Sequence, residues 1–126
     1  MHLFIITRRL MAIALATAVC VAGAQSYPNK PVRFVTASTG SPQDVVGRLF
    51  AQKLGDSWGQ AVVVDNRAGA GSLLSIQAVA KAPADGYTVL VSSTAYAVTP
   101  YLYQNLGYDA EKDLIPVVLL ATAPNI

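Results

Sequence analysis

The 126-residue chain is 53% hydrophobic and 13% charged, with 9 Lys and Arg against 7 Asp and Glu. One modest domain fits that length, and the composition is too apolar and too lightly charged for a disordered protein. Arg8 and Arg9 carry the excess charge, so from Gln25 onward seven basic residues face seven acidic ones, and no basic stripe suited to nucleic acid is left. His2 and Cys20, the sole histidine and the sole cysteine, also lie in the leading segment. Once that segment is removed, disulfides, a Cys nucleophile, a Ser-His-Asp relay and Cys/His zinc sites are all excluded. No cofactor and no metal is expected.

Residues 1–24 read as a signal peptide. Met1 to Arg9 is a short basic start, Leu10 to Ala22 is largely apolar, and Ala22-Gly23-Ala24 supplies small residues for cleavage before Gln25. The apolar run falls short of the roughly 20 residues that span hydrocarbon. Bulky Val19 before Cys20 argues against a lipid anchor, and the neighbours of Arg8-Arg9 match a twin-arginine signal poorly. Either export route delivers the chain to the periplasm.

From Gln25 the chain alternates two kinds of segment. Val32 to Ala37 is β-branched and aromatic and predicts a strand. After the turn Thr39-Gly40-Ser41-Pro42, the residues Val45, Val46, Leu49, Phe50, Leu54 and Trp58 recur at the spacing of one helical face. Ser41 is placed to cap that helix, Pro42 suits its first position, and Asp44 stands three residues after Ser41 as in a capping box. Gly55 and Gly59 mark an expected frayed end. Val62 to Asp65 predicts a second strand, Ser72 to Lys81 a second helix, and Tyr87 to Val91 a third strand, expected to be buried on both faces. A short helical piece near Pro100 to Asn105 and a fourth strand over Val117 to Ala121 complete the pattern.

Strand and helix in alternation imply an open α/β sheet with right-handed crossovers, whose ligands sit beyond the carboxyl ends of the strands. Those ends fall at Thr36–Ser41, Asn66–Ser72 and Ser92–Ala95, rich in Gly, Ser and Thr. The first two run into helix starts, which favour an anion, so a carboxylate or phosphate site without lysine clusters is expected. Gly69-Ala70-Gly71 is not a dinucleotide fingerprint, because Leu74 stands where a third small residue belongs. Asp109, Glu111 and Asp113 are interrupted by Lys112 and read as a solvated turn rather than a calcium loop. Tyr96, Tyr101, Tyr103 and Tyr108 read mainly as packing residues, with Tyr96 the exception because it follows a strand end. Asp44 reads first as a helix-start carboxylate, with ligand contact as the other reading.

The succession of segments resembles the substrate-binding receptors of tripartite tricarboxylate transporters, the Bug receptors. The resemblance runs through Tyr27-Pro28-Asn29-Lys30-Pro31-Val32-Arg33, Asp44-Val45-Val46-Gly47-Arg48-Leu49, Gln60 to Gly71 and Ala78 to Thr88. It continues in Thr99-Pro100-Tyr101-Leu102-Tyr103, Tyr108-Asp109 and Asp113-Leu114-Ile115-Pro116-Val117. It implies a periplasmic binding protein type II-like α/β fold with an open, mostly parallel sheet and flanking helices. Residues 25–126 would be the amino-terminal part of lobe one, with the second lobe absent. The implied function is capture of a small carboxylate for a membrane permease, without catalysis, cofactor or nucleic acid.

Carried over by position, the resemblance assigns the first grip on the ligand to Ser38, Thr39, Gly40, Ser41 and Asp44. It assigns the second to Ser93, Thr94, Ala95 and Tyr96, with Ala70 and Gly71 bordering the cleft. Where the family usually carries Pro-Phe-x-Pro-Gly-Gly before its Asp, this chain has Thr36-Ala37-Ser38-Thr39-Gly40-Ser41-Pro42-Gln43-Asp44, one residue shorter between Arg33 and Asp44 than the resemblance implies. Two other readings stand beside the receptor: an inactive truncated remnant, and a small secreted α/β hydrolase. The second is weakened by the lack of histidine and of any Ser-x-x-Lys after residue 24.

Overall fold

The computed structural model describes residues 27–122, so the signal-peptide reading of residues 1–24 lies outside the described part. Three strands, Val32–Thr36 (β1), Val62–Asn66 (β2) and Thr88–Leu90 (β3), form one sheet in the order β2-β1-β3. Both pairings are parallel, with Val32 opposite Val62 and Thr36 opposite Asn66 on one side, and Arg33 opposite Thr88 on the other. Parallel neighbours cannot be joined by a tight hairpin. The helices Pro42–Trp58 (α1) and Leu73–Ala80 (α2) supply the two crossovers, and Thr94–Leu102 (α3) follows β3. The architecture is the α/β one expected, with the central strand the most deeply buried.

Local chemistry explains α1 well. The Ser41 side chain accepts the Asp44 N–H at 3.2 Å and Pro42 opens the helix. The helix runs through Gly55 without fraying and closes at Gly59, whose φ of 66° suits a left-handed cap and whose N–H reaches the Gly55 carbonyl at 3.0 Å. The buried face, however, differs from the apolar stripe. Asp44, Gly47 and Ala51 are buried, whereas Val45 and Leu49 are 51% and 61% exposed. The helix approaches the sheet through its small residues: a Cβ on Gly47 would lie 3.6 Å from Val91 Cγ1. Val32, Phe34, Ala51 and Val91 form the core there, with Leu54 and Trp58 packed against it. Close approach of backbone to sheet decides the orientation, and the larger Val45 and Leu49 side chains turn outward.

The third and fourth strands also differ from expectation. β3 is shorter than Tyr87–Val91 and only half-buried on all three residues, because among the described residues it is an edge with β1 as its one neighbour. Val117–Ala121 forms no strand. Its apolar residues make it look like one, yet a strand exists only where a neighbour completes its hydrogen bonds, and among the described residues none lies beside it. Ile115, Val117, Val118 and Leu119 stay exposed, while Leu120 packs on the core. The helical piece expected near Pro100–Asn105 is the end of α3, which starts already at Thr94.

Candidate functional site

Three connections meet beyond the carboxyl ends of the strands: residues 37–41 after β1, 67–72 after β2 and 91–93 after β3. The first is organised by Asp44. Its side chain, almost wholly buried, accepts from the Gly40 N–H at 2.8 Å and from Asn66 Nδ2 at 2.8 Å. Arg48 closes the other side, with Nε 3.1 Å from Oδ2 and Nη2 3.1 Å from Oδ1. Arg48 Nη2 also donates to Asn66 Oδ1 at 2.8 Å. Hydrogen bonds from Asn66, Arg48 and Gly40, in that order of effect, hold the Asp44 carboxyl down to about 2, against burial that would raise it. Both carboxylate oxygens are thus taken by donors of the chain itself. Asp44 ties the loop after β1 to the end of β2, and Gly40, at φ 76°, supplies the backbone turn that brings its N–H inward.

The other assigned residues divide by exposure. Ser38, Thr39 and Gly40 are exposed, as are Ser93 and Thr94, while Ser41 and Ala95 are half-buried. Ser93 starts α3, accepting the Ala95 N–H at 3.4 Å, and its Oγ also accepts from Gln43 Nε2 at 2.8 Å. That second bond joins the first turn of α1 to the loop after β3, so the two expected grips stand side by side. Tyr96 directs its hydroxyl to the Ala110 carbonyl at 2.9 Å, with the Leu114 carbonyl oxygen at 3.4 Å, which anchors the segment after α3. Gly69, Ala70, Gly71 and Ser72 have φ values of 132°, 45°, 60° and 81°. A left-handed backbone costs Ala70 and Ser72 about 1–2 kcal/mol each. Sequence reasoning misses the parts played by Arg48, Asn66 and Gln43, and gives Tyr103 no more than a packing role. For Arg48 a signal exists, the i, i+4 spacing from Asp44.

Thr36 ends β1 in full burial, and its Oγ1 has no hydrogen-bond partner among the described residues. An unpaired buried hydroxyl is costly. Thr36→Val is therefore expected to raise the unfolding free energy by about 1 kcal/mol. Urea denaturation measures this, and a loss of stability in the variant would show that the hydroxyl makes a bond.

Elsewhere several charged groups pair with one another. A hollow of about 490 Å³ opens at the amino ends of the strands, lined by Lys30, Arg33, Asp85 and Tyr87 among others. Lys30 pairs with Asp85 at 3.0 Å and lies over the Tyr87 ring at 4.2 Å, and Arg33 faces Asp65 at 3.8 Å. Asp109 accepts from the Glu111 and Lys112 N–H groups and pairs with Lys112 Nζ at 3.0 Å. That is the solvated turn expected. Among the described residues, no cluster of His, Cys, Asp and Glu is arranged to hold a metal.

Comparison with known proteins bears on the family and the fold. The sequence profile described as Tripartite tricarboxylate transporter family receptor matches residues 46–126. A UPF0065 protein of Bordetella bronchiseptica is 44% identical over 120 residues, 94% of this chain and 36% of the relative. BugT of Bordetella pertussis is 40% identical over 115 residues, 89% of this chain and 35% of the relative. The chain therefore spans little more than a third of these relatives' length. Among solved structures, the periplasmic binding protein BugD superposes with a TM-score of 0.65 at 36% identity, over 69% of this chain and 29% of that one. An R. palustris protein solved with adipate gives 0.63 at 36% identity, over 68% and 29%.

Proposed function

Because the chain belongs to the tripartite tricarboxylate transporter receptor family, we propose that it forms one wall of an extracytoplasmic site that captures a small carboxylate for a membrane permease. Membership puts it among solute receptors rather than enzymes, so the hydrolase reading falls away. Residues 1–24 act as the export signal in this reading, and residues 25–126 belong to the first lobe of a periplasmic receptor. Among the described residues, no helix is long and apolar enough to cross a membrane.

The observation that carries the reading is the bond from Gln43, in the first turn of α1, to Ser93, which brings the start of α1 against the loop after β3. Exposed hydroxyls and backbone amides at Ser38–Ser41 and Ser93–Thr94 line that meeting point. Arg48, on α1, is already engaged by Asp44 and Asn66. The anion is therefore gripped by neutral donors, which favours a carboxylate held by several hydrogen bonds over a highly charged phosphate. Ala70 and Gly71 border the same face.

The test is a titration with adipate and with citrate, followed through the backbone amide resonances. Residues 38–41, 69–72 and 92–96 are expected to shift together, while Lys30, Asp85 and Tyr87 stay still. Shifts confined to the amino ends of the strands would move the site to the opposite side of the sheet and end this assignment.

A further inference from the structure

The connection between β2 and α2 combines strain with one long-range restraint. Four successive residues, Gly69 to Ser72, have positive φ, and two of them are not glycine. Such a backbone persists only where its surroundings over-determine it. Three restraints are local, and two of them are the Ser72 N–H reaching the Gly69 carbonyl at 3.1 Å and Ser75 Oγ donating to the Ser72 carbonyl at 2.7 Å. The Leu73 N–H also returns to the Ala70 carbonyl. The remaining restraint comes from the end of α3. Tyr103 donates its hydroxyl to that same Ala70 carbonyl at 2.9 Å, and a Cβ on Gly71 would lie 3.5 Å from the Tyr103 oxygen. The tyrosine therefore lies against the turn as well as bonding to it.

α3 itself is capped by Ser93, whose Oγ accepts from Gln43 in the first turn of α1. One short helix, with Pro100 inside it, thus connects that meeting point at its start to the left-handed turn at its end.

We propose that Tyr103 is a positioning residue of the strand-end site: its hydroxyl latches Ala70–Ser72 in the left-handed conformation and makes that turn move as one body with the loop after β3. Only the consequence for ligand rests on the receptor reading; the latch is a statement about conformation and stands by itself. The local bonds fall on the carbonyls of Gly69, Ala70 and Ser72, and Tyr103 adds a long-range donor to the Ala70 carbonyl, at the first of the two strained non-glycine residues.

The experiment compares the full chain with Tyr103→Phe, which keeps the ring and removes the hydroxyl. In the variant, amide exchange at Ser72 and Leu73 is expected to accelerate about tenfold relative to the amides of α1, as loss of one hydrogen bond implies. The positive-φ coupling and carbon-shift signatures of Ala70 and Ser72 should vanish with it. Adding Ala70→Gly to Tyr103→Phe should restore protection, because glycine adopts positive φ without steric cost. Unchanged signatures at Ala70 and Ser72 in Tyr103→Phe, or exchange that rises equally in α1, would overturn the latch. Adipate and citrate titrations of the parent then judge the reading beneath it separately. Amide shifts at residues 69–72 that weaken about tenfold in affinity in Tyr103→Phe support the coupling. Equal affinities in the two proteins overturn it. No response in the parent refutes the receptor site, while the latch stands or falls on the exchange data alone.

Discussion

Replacing Asp44 with alanine should lower the thermal midpoint by about 10 °C, the largest loss expected from any single substitution in the site. The carboxylate is nearly wholly buried and bonds to Gly40, Arg48 and Asn66. Its removal leaves a loop amide, a guanidinium and a carboxamide facing a gap, and unpaired groups in such a network are costly. The pH dependence gives an independent readout. The folded-state carboxyl is held down to about 2 from an ordinary 3.8, so between those values the unfolded chain binds the extra proton. Stability from this group is therefore complete above about pH 4 and is lost as pH falls toward 2. Asp44→Asn, which cannot ionise, should flatten that part of the profile. Thermal melts of the parent and the variant between about pH 5 and 2 measure it. Identical slopes would mean that the carboxylate is not held as described.

A polypeptide of residues 25–126 should bind adipate at millimolar strength or more weakly, and should self-associate. Ser38, Thr39, Gly40, Ser93 and Thr94 lie open on the surface, so the strand-end loops make one wall rather than an enclosure. Binding sites commonly hide ~70–90% of a drug-sized ligand. If an enclosed site binds at micromolar strength, about −8 kcal/mol, one wall that retains half of it leaves about −4 kcal/mol, or millimolar. Among the described residues, β2 and β3 each have a single neighbour in the sheet, and Ile115, Val117, Val118 and Leu119 are exposed close together in sequence. Unpaired edges and apolar patches recruit other chains. Isothermal titration and light scattering decide both points. A monomer with micromolar affinity would show that one wall is sufficient.

What the sequence reveals is what short-range chemistry controls. Ser41, Pro42 and Asp44 announce the start of α1 because a cap is a bond between residues three apart. The valine-rich runs announce β1 and β2 for the same local reason. Which face of α1 is buried is not local: it follows from how closely Gly47 and Ala51 let the helix approach Val91, and apolar spacing alone points to Val45 and Leu49 instead. Val117–Ala121 shows the same limit, since a strand needs a partner that its own residues cannot supply. In the site, alternation of strands and helices locates the loops. Their connections lie beyond reach, because Asn66 meets Asp44 across 22 residues, Tyr103 meets Ala70 across 33 and Gln43 meets Ser93 across 50.

The strand order also governs when the fold can begin. Of the three strands, β1 is the first to be synthesised and the middle one of the sheet, with Val32 paired to Val62 and Arg33 to Thr88. No hairpin is available to it, so it leaves the ribosome with both hydrogen-bonding edges empty. One edge closes only after the whole of α1 has been made, the other only after α2 as well. Pairings this distant along the chain form slowly, because each must first overcome the entropy of a long loop. A polypeptide that has to be threaded through a membrane in an unfolded state, as the export reading requires, gains from such a delay. On that reading, the same topology that gathers three loops at one end of the sheet would also delay the folding of the nascent chain.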